Sequence, residues 1–188
     1  MHFVDMSSLQ SFFKAKFGDD YSVFVKNQGT TITIAAIYVA YVHDGIILSQ
    51  HKFAKDLLAT AGLSSYKSAV TPLPLNLQLS SIEGTLLHDA TYYRSMVGKL
   101  NFLTHTRPDL TYSVQHLSQF MQQPREPHLQ ALHHTISYVA HTAGQGILLK
   151  GSDKLALQAF SDSDWASCID SRKSVSGYVL QLGQSPIS

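Results

Sequence analysis

The sequence predicts an α+β fold, and three observations carry that prediction. The first third holds short runs of β-branched and aromatic residues, separated by turn-forming residues. The middle third carries apolar residues at the 3.6-residue spacing of helices, and prolines interrupt that pattern. The last part returns to strand-like runs. Strands and helices that are segregated along the chain in this way are typical of α+β folds.

Composition excludes several classes of protein. Of the 188 residues, 44% are hydrophobic and only 14% are charged, whereas soluble domains carry about 25% charged residues. Intrinsic disorder requires the opposite balance. The longest nearly apolar run, Ile32–Val42, is too short for a membrane-spanning helix, which needs about 20 residues. Since no secretory signal is visible either, we expect an intracellular protein with no membrane partner.

Charge and cysteine content narrow the classes further. The formal net charge is +1, from 14 basic and 13 acidic residues, without the basic stripe that most nucleic-acid-binding proteins carry. Cys168 is the only cysteine, which excludes an internal disulfide and a cysteine-based zinc site. A single thiol suits a reducing compartment.

The first third predicts an antiparallel meander followed by a helix. Tyr21–Val25 and Thr30–Val42 flank a polar turn at Lys26–Gly29, and a third strand follows the turn at His43–Gly45. A helix is expected from Gln50 to Gly62, with the glycine as its C-terminal stop.

The middle of the chain predicts an extended connector and three helices. Residues 66–88 include two nearby prolines, Pro72 and Pro74, which exclude a helix or a central strand. We expect this segment to cross the surface. Three apolar helical stripes follow between Asp89 and Gly144, separated at Pro108 and at Pro124–Pro127. Such short links predict close-packed neighbours.

The tail predicts a three-stranded start of a sheet. Strand-like runs are Gly146–Leu149, Leu155–Phe160 and Gly177–Leu182. The sequence therefore divides into four segments: 1–65, 66–88, 89–145 and 146–188.

Asp162 and Asp164 form the sharpest candidate for a chemical site. Two carboxylates at positions i and i+2 that leave an apolar strand lie on one face, and Mg²⁺ or Mn²⁺ prefers such oxygen ligands. The alternative is a turn in which aspartate and serine bond their own backbone.

Histidines and basic residues give weaker candidates. His134 and His141 are two helical turns apart, with His133 adjacent, but a zinc site needs a third ligand that the pattern does not supply. We expect these histidines to lie on a solvated helix face. The candidates for contact with nucleic acid are Arg107, Arg125, Arg172 and Lys173, with helix caps and surface ion pairs as the alternative.

Seven motifs, in a fixed order from about Leu9 to Ser188, together resemble the Pol polyprotein of Ty1/copia-type retrotransposons and the plant mitochondrial reading frames derived from it. The motifs are Asp20–Phe24 with Ile37–Val39, Gly45–Ala54, Thr71–Leu73, Tyr93–Leu100, Thr106–Leu110, Pro124–His128, and Asp162–Ala166 with Arg172–Tyr178.

The resemblance implies a reverse-transcriptase palm remnant over 1–65. It implies a connector over 66–88, a thumb-like or connection-like helical region over 89–145, and the start of an RNase H-like domain over 146–188. The intact family uses Mg²⁺ or Mn²⁺, and its partners are an RNA–DNA hybrid or DNA.

Departures from the family pattern predict an inactive chain. In the family, Tyr-Val at the palm turn is followed by the Asp-Asp pair that holds the catalytic metal ions, whereas Ala40-Tyr41 follows Val39 here. Asp44 matches a later turn, and the fingers and an earlier palm aspartate are not present.

Asp162 matches the first metal-binding aspartate of the RNase H site, whose further ligands would lie beyond Ser188. We therefore expect a vestigial ligand and no tightly bound metal.

Three hypotheses follow: an inactive Pol fragment, a retained nucleic-acid-binding module, or part of a longer active enzyme. Salt-dependent binding to an RNA–DNA hybrid would favour the second. Loss of much of a palm also predicts exposed apolar patches.

Overall fold

The computed structural model describes residues 21–28, 31–63, 69–152, 154–165 and 174–187, with the single positions 65, 67 and 172. For residues 21–28 and 31–36 only the backbone is described. These residues form an α+β fold with two antiparallel sheets, as the sequence predicts. The strands are β1 Tyr21–Gln28, β2 Thr31–Val42, β3 Gly45–Ser49, β4 Ile147–Lys150, β5 Leu157–Ser163, β6 Ser176–Leu182 and β7 Ser185–Pro186. The α-helices are α1 His51–Ala61, α2 Thr91–Leu103, α3 Thr111–Ser118 and α4 Glu126–His141.

The first sheet has the order β1-β2-β3-β4. The predicted meander is confirmed, but β1 runs through Gln28, which pairs with Thr31. The predicted turn at Lys26–Gly29 is therefore wrong for Lys26, Asn27 and Gln28, and Gly29 lies outside the described residues. The alternation of polar and β-branched residues in β2 continues opposite them, and the ladder extends as far as that pairing allows.

The strand at Ile147–Lys150 corrects the predicted C-terminal sheet. It pairs antiparallel with β3, with Leu48 opposite Ile147 and Gly45 opposite Lys150. The second sheet contains only β5, β6 and β7 among the described residues. The sequence of a four-residue apolar strand does not specify which strand it pairs with. Here β4 pairs with the apolar, half-buried strand β3, and β4 is half-buried as well.

The core lies between the four helices. Its fully buried apolar side chains come from every helix, because each presents an apolar stripe at helical spacing. The largest are Leu57, Tyr93, Met96, Leu100, Leu103, Leu110, Leu117, Leu132 and Ile136. The predicted helical stripes are therefore confirmed.

The predicted helix stop at Gly62 is confirmed, whereas the start of α4 differs from the prediction. Gly62 closes α1 with a φ of 63°, a conformation that glycine adopts without steric cost. A single 3₁₀ turn at Pro108–Leu110 precedes α3. The predicted break at Pro124–Pro127 implies a helix start at His128, but α4 begins two residues earlier, at Glu126, because Pro127 is accommodated in the first turn. Asp89 accepts a hydrogen bond from the Thr91 amide (2.7 Å) but precedes the N-cap residue, Ala90.

The connector is irregular, as predicted, but it does not simply cross the surface. Leu79 is 5% exposed and belongs to the core, and Leu73 and Leu77 pack against it. Leu75 between them is exposed. A regular extended segment would place these four leucines on one face. Leu75 is exposed because the chain turns there: Asn76 has a φ of 58°, and the Leu77 amide donates to the Pro74 carbonyl (3.4 Å).

The second sheet leaves large apolar side chains in solvent. Leu157, Phe160 and Tyr178 are each more than half exposed, and all of β5 is exposed. The predicted exposed apolar patches are thus present in the described part of the chain.

Candidate functional site

The residues that follow Val39 lie inside a regular strand. Val39 is opposite Leu48 and Ala40 is opposite Ile47, and the ladder continues to Val42 and Gly45. The chain turns only at His43 and Asp44. At the position that the resemblance gives to two aspartates, the structure therefore has the methyl group of Ala40 and the exposed ring of Tyr41.

Asp44 lies in the exposed turn between β2 and β3. Its Oδ1 accepts a hydrogen bond from Nδ1 of His43 (2.7 Å), and its backbone carbonyl accepts one from the Gly151 amide (3.0 Å). Across the described residues, no group of three or more His, Cys, Asp or Glu side chains could hold a metal ion.

Asp162 and Asp164 lie at the end of β5 and just beyond it. Asp162 is exposed, and its Oδ1 accepts a hydrogen bond from the Ser163 amide (2.9 Å). Oδ1 of Asp164 accepts one from the Val175 amide (2.6 Å), while the Asp164 amide donates to the Val175 carbonyl (3.0 Å). Asp164 thus links the end of β5 to the start of β6 across 11 positions, whereas Asp162 makes the local backbone bond that the turn alternative describes.

This donor set does not fit a firmly held divalent cation. Mg²⁺ requires near-octahedral oxygen ligands and binds through carboxylates with favourable geometry. One oxygen of each of the two aspartates already bonds a backbone amide, and no third carboxylate joins them within the described ranges.

Arg107 is buried in a network that joins two helices. Its side chain is 3% exposed. Nε and Nη2 donate to the two carboxylate oxygens of Asp109 (2.9 and 2.7 Å), and Nη1 donates to the Thr142 carbonyl (2.8 Å). The Tyr138 hydroxyl also donates to Asp109 (3.0 Å). Contact with nucleic acid, which stays a prediction, would require Arg107 to leave these partners.

The Asp109 carboxyl has its charge stabilised by this network. Burial alone would raise the pKa of Asp109, but the hydrogen bonds and charge of Arg107, together with the Tyr138 hydroxyl, hold that pKa below its usual value. The ion pair is therefore formed at neutral pH.

The half-buried side chain of Arg125 donates hydrogen bonds to the connector. Its Nε donates to the Ser81 carbonyl (2.7 Å) and its Nη1 to the Gly84 carbonyl (2.6 Å). Arg172 is exposed and has a positive φ of 55°. Lys173, the fourth predicted basic contact, lies outside the described residues.

The α4 histidines are not simply solvated. Nε2 of His134 donates to the Thr71 carbonyl (3.0 Å). Nδ1 of His141 donates to the Ser137 carbonyl one turn earlier (2.8 Å). Burial lowers the pKa of His133, whose ring lies edge-on to Tyr92. The expectation of a purely solvated face is corrected for His133 and His134, because the connector and α2 cover that side of α4.

Comparison with known proteins decides the family. The chain is 46% identical over 147 residues to the retrovirus-related Pol polyprotein from transposon RE1 of Arabidopsis thaliana. It is 43% identical over 147 residues to the corresponding polyprotein from transposon RE2. It is also 37% identical over 164 residues to an uncharacterized mitochondrial protein of the same plant, covering 87% of this chain and 68% of that protein. The chain belongs to the family of retrovirus-related Pol polyproteins of Ty1/copia-type retrotransposons.

The match covers most of this chain but only a small part of each polyprotein. It covers 78% of this chain but only 10% of the RE1 and RE2 polyproteins. No protein-family model matches the chain, and no solved structure matches it either. Among the helices that the structure describes, none is long and apolar enough to cross a membrane.

Several motifs that carry the Pol resemblance consist of residues that hold the helices together. The Tyr93 hydroxyl, on a fully buried ring, donates to the Leu117 carbonyl (2.8 Å). The Thr106 hydroxyl is buried and hydrogen-bonded to the side-chain amide group of Gln50 (3.0 Å).

Sequence reasoning missed the role of Arg107 and that of His128, whose buried ring accepts a hydrogen bond from the Arg125 amide at the start of α4 (2.9 Å). The signal available for Arg107 was an acidic residue two positions later. For His128 it was a polar side chain at the third position of a helix, where capping residues occur.

Proposed function

We propose that this chain is the part of a Copia-type Pol polyprotein that runs from the end of the reverse-transcriptase palm to the start of the RNase H domain, and that it does not polymerise DNA. The order of the seven motifs supports the assignment of the chain to this region of the polyprotein. The identity to two transposon Pol polyproteins over most of the chain supports the parentage.

One observation carries the proposed inactivity: Ala40 and Tyr41 follow Tyr38-Val39 within an unbroken strand. Two-metal phosphoryl transfer needs protein carboxylates that hold both metal ions beside the reacting oxygens. An alanine methyl group and a tyrosine ring do not replace that pair. Asp44 does not replace it either, because it lies at the exposed turn beyond the strand and is hydrogen-bonded to His43.

The proposal assigns Asp162 the place of a vestigial RNase H ligand. Its neighbour Asp164 is engaged by the Val175 amide, so the pair supports a structural role at the end of β5. Mg²⁺ or Mn²⁺ would supply Lewis-acid chemistry in the intact family.

The proposal does not extend to nucleic-acid binding. Two of the predicted contacts, Arg107 and Arg125, donate to protein acceptors. The buried guanidinium of Arg107 must lose its protein acceptors before it can bind a phosphate, and that loss offsets the gain.

Primer extension tests the proposed inactivity. The purified chain is incubated with a labelled DNA primer on an RNA template, the four deoxynucleotides, and Mg²⁺ or Mn²⁺. We expect no extension above the protein-free blank. Asp44→Asn and Asp56→Asn, the latter an exposed aspartate on α1, serve as matched variants and are expected to behave as the parent chain does.

Metal-dependent extension that disappears in Asp44→Asn and persists in Asp56→Asn would contradict the proposal. That result would assign Asp44 the metal-binding role that the family gives to the palm aspartates. Circular dichroism of the three proteins establishes that they share one fold.

A further inference from the structure

A short part of the connector is clamped onto the start of α4. We call residues 80–87 the strap. The Glu126 amide donates to the Thr85 carbonyl (2.9 Å), and the Leu87 amide donates to the Pro124 carbonyl (2.9 Å). With the two Arg125 bonds to Ser81 and Gly84, the strap is held by its main chain.

His128 completes this clamp from inside the protein. Its side chain has no exposed surface, and its ring stacks on Phe120 with centroids 3.9 Å apart. Nδ1 accepts a hydrogen bond from the Arg125 amide (2.9 Å), and Nε2 lies 3.1 Å from the Ser80 carbonyl. An amide only donates and a carbonyl only accepts, so both bonds require the neutral imidazole with its proton on Nε2.

We propose that His128 is a pH-sensitive latch that keeps the strap closed only while its imidazole is neutral. A second proton would go to Nδ1, where it would face the Arg125 N–H, and the cap of α4 would lose its acceptor. The cation would also lie in a buried site against Phe120. Opening of the strap moves the imidazole into water, where protonation is favourable.

The groups around the latch oppose protonation in the closed state. Arg125 begins the same helix and carries a permanent positive charge. Glu126 on α4 and Glu83 on the strap are exposed, so water screens them. His116 lies edge-on to Phe120. Because burial lowers the pKa of His116, its neutral form is favoured as well.

His134 provides an internal comparison on the same helix. Its Nε2 donates to Thr71 of the connector, and a protonated imidazole still donates from Nε2. Acid therefore leaves that contact intact. Only the contact that uses an imidazole nitrogen as an acceptor is lost.

Amide exchange measured by NMR between pH 7.5 and 5 tests the latch. Protection factors of the Arg125, Glu126 and Leu87 amides, which exclude the intrinsic pH dependence of exchange, are expected to fall up to about tenfold for each pH unit below about 6.5, the ordinary pKa of an exposed histidine. The Leu100 amide in the middle of α2 is expected to keep its protection. The imidazole nitrogen shifts at pH 7.5 are expected to report the Nε2–H tautomer.

Two variants separate the latch from general acid sensitivity. Glutamine occurs naturally at this capping position, so His128→Gln can accept from Arg125 and donate to Ser80 without titrating, and its strap is expected to stay protected at pH 5. His134→Gln is expected to keep the pH response. Unchanged protection in the parent chain, an Nδ1–H tautomer, or a response retained in His128→Gln would overturn the proposal. If His128→Gln does not fold, the tautomer and the exchange of the parent chain decide.

Discussion

Replacement of Arg107 by methionine is expected to lower the free energy of unfolding by about 2–4 kcal/mol, because it leaves a half-buried carboxylate without its partner. Asp109 would lose two hydrogen bonds, and the Thr142 carbonyl would lose its donor. Methionine retains much of the apolar volume of the arginine stem, so the loss reports the ion pair and its hydrogen bonds. Urea denaturation at pH 7 measures the difference.

The same variant predicts a dependence on pH. In the parent chain the pKa of Asp109 lies below its usual value, so its contribution to stability is present above about pH 4 and lost as the pH falls through the folded-state pKa. The difference between the parent chain and Arg107→Met should therefore narrow in acid. Arg172→Met removes an exposed arginine and should change stability by less than about 0.5 kcal/mol. Equal losses in the two variants would contradict the structural role of Arg107.

The second large effect is expected from Gly146→Ala, which tests the pairing of β4 with β3. A Cβ atom at Gly146 would lie 2.2 Å from the Leu48 carbonyl oxygen and 2.9 Å from Cβ of Ser49. Backbone must move to relieve such contacts, and we expect a loss of about 2–3 kcal/mol. Urea denaturation would measure this loss of stability, and faster amide exchange in β3 would show that the pairing with β4 is weakened.

Gly144→Ala is the matched control for that variant. A Cβ atom there meets nothing within 4 Å, so stability should change by less than about 0.5 kcal/mol. If the two alanine variants unfold at the same urea concentration, β4 is not held against β3 as described.

Local pattern predicted the parts of the fold that local physics determines. The stripe through Tyr93, Met96 and Leu100 specified α2 because a helix of 3.6 residues per turn places these side chains on one face. Pro108 marked a helix start because a missing N–H costs nothing in a first turn. The same property places Pro127 inside α4, where the sequence predicted a break. The β2–β3 hairpin followed from two strand-like runs around His43-Asp44.

The parts that were missed depend on contacts between distant residues. Arg107 meets Thr142 across 35 positions, and His128 meets Ser80 across 48. Nothing in the neighbourhood of either residue specifies those partners. Strand β4 was misplaced for the same reason, because an apolar tetrapeptide can complete any sheet edge that the tertiary fold presents.

The candidate site was predictable only as a set of departures from a family pattern. Tyr38-Val39 without the following aspartates was visible in the sequence, and the structure adds that Ala40 lies within a continuous strand paired with Ile47. The metal site and the local turn were two open alternatives for Asp162 and Asp164. The structure adds a bond from the Val175 amide to Asp164 across 11 positions, a partner that local spacing could not specify.

Sequencing of the transcript across the codons of Val39 and Ala40 tests the central claim most directly. That claim is that the catalytic aspartate pair of the Pol family is missing from this chain itself. We expect the two codons to be adjacent, with β2 encoded without interruption from Thr31 to Val42. Additional codons between them that encode two consecutive aspartates would contradict the claim and restore the expectation of an active polymerase.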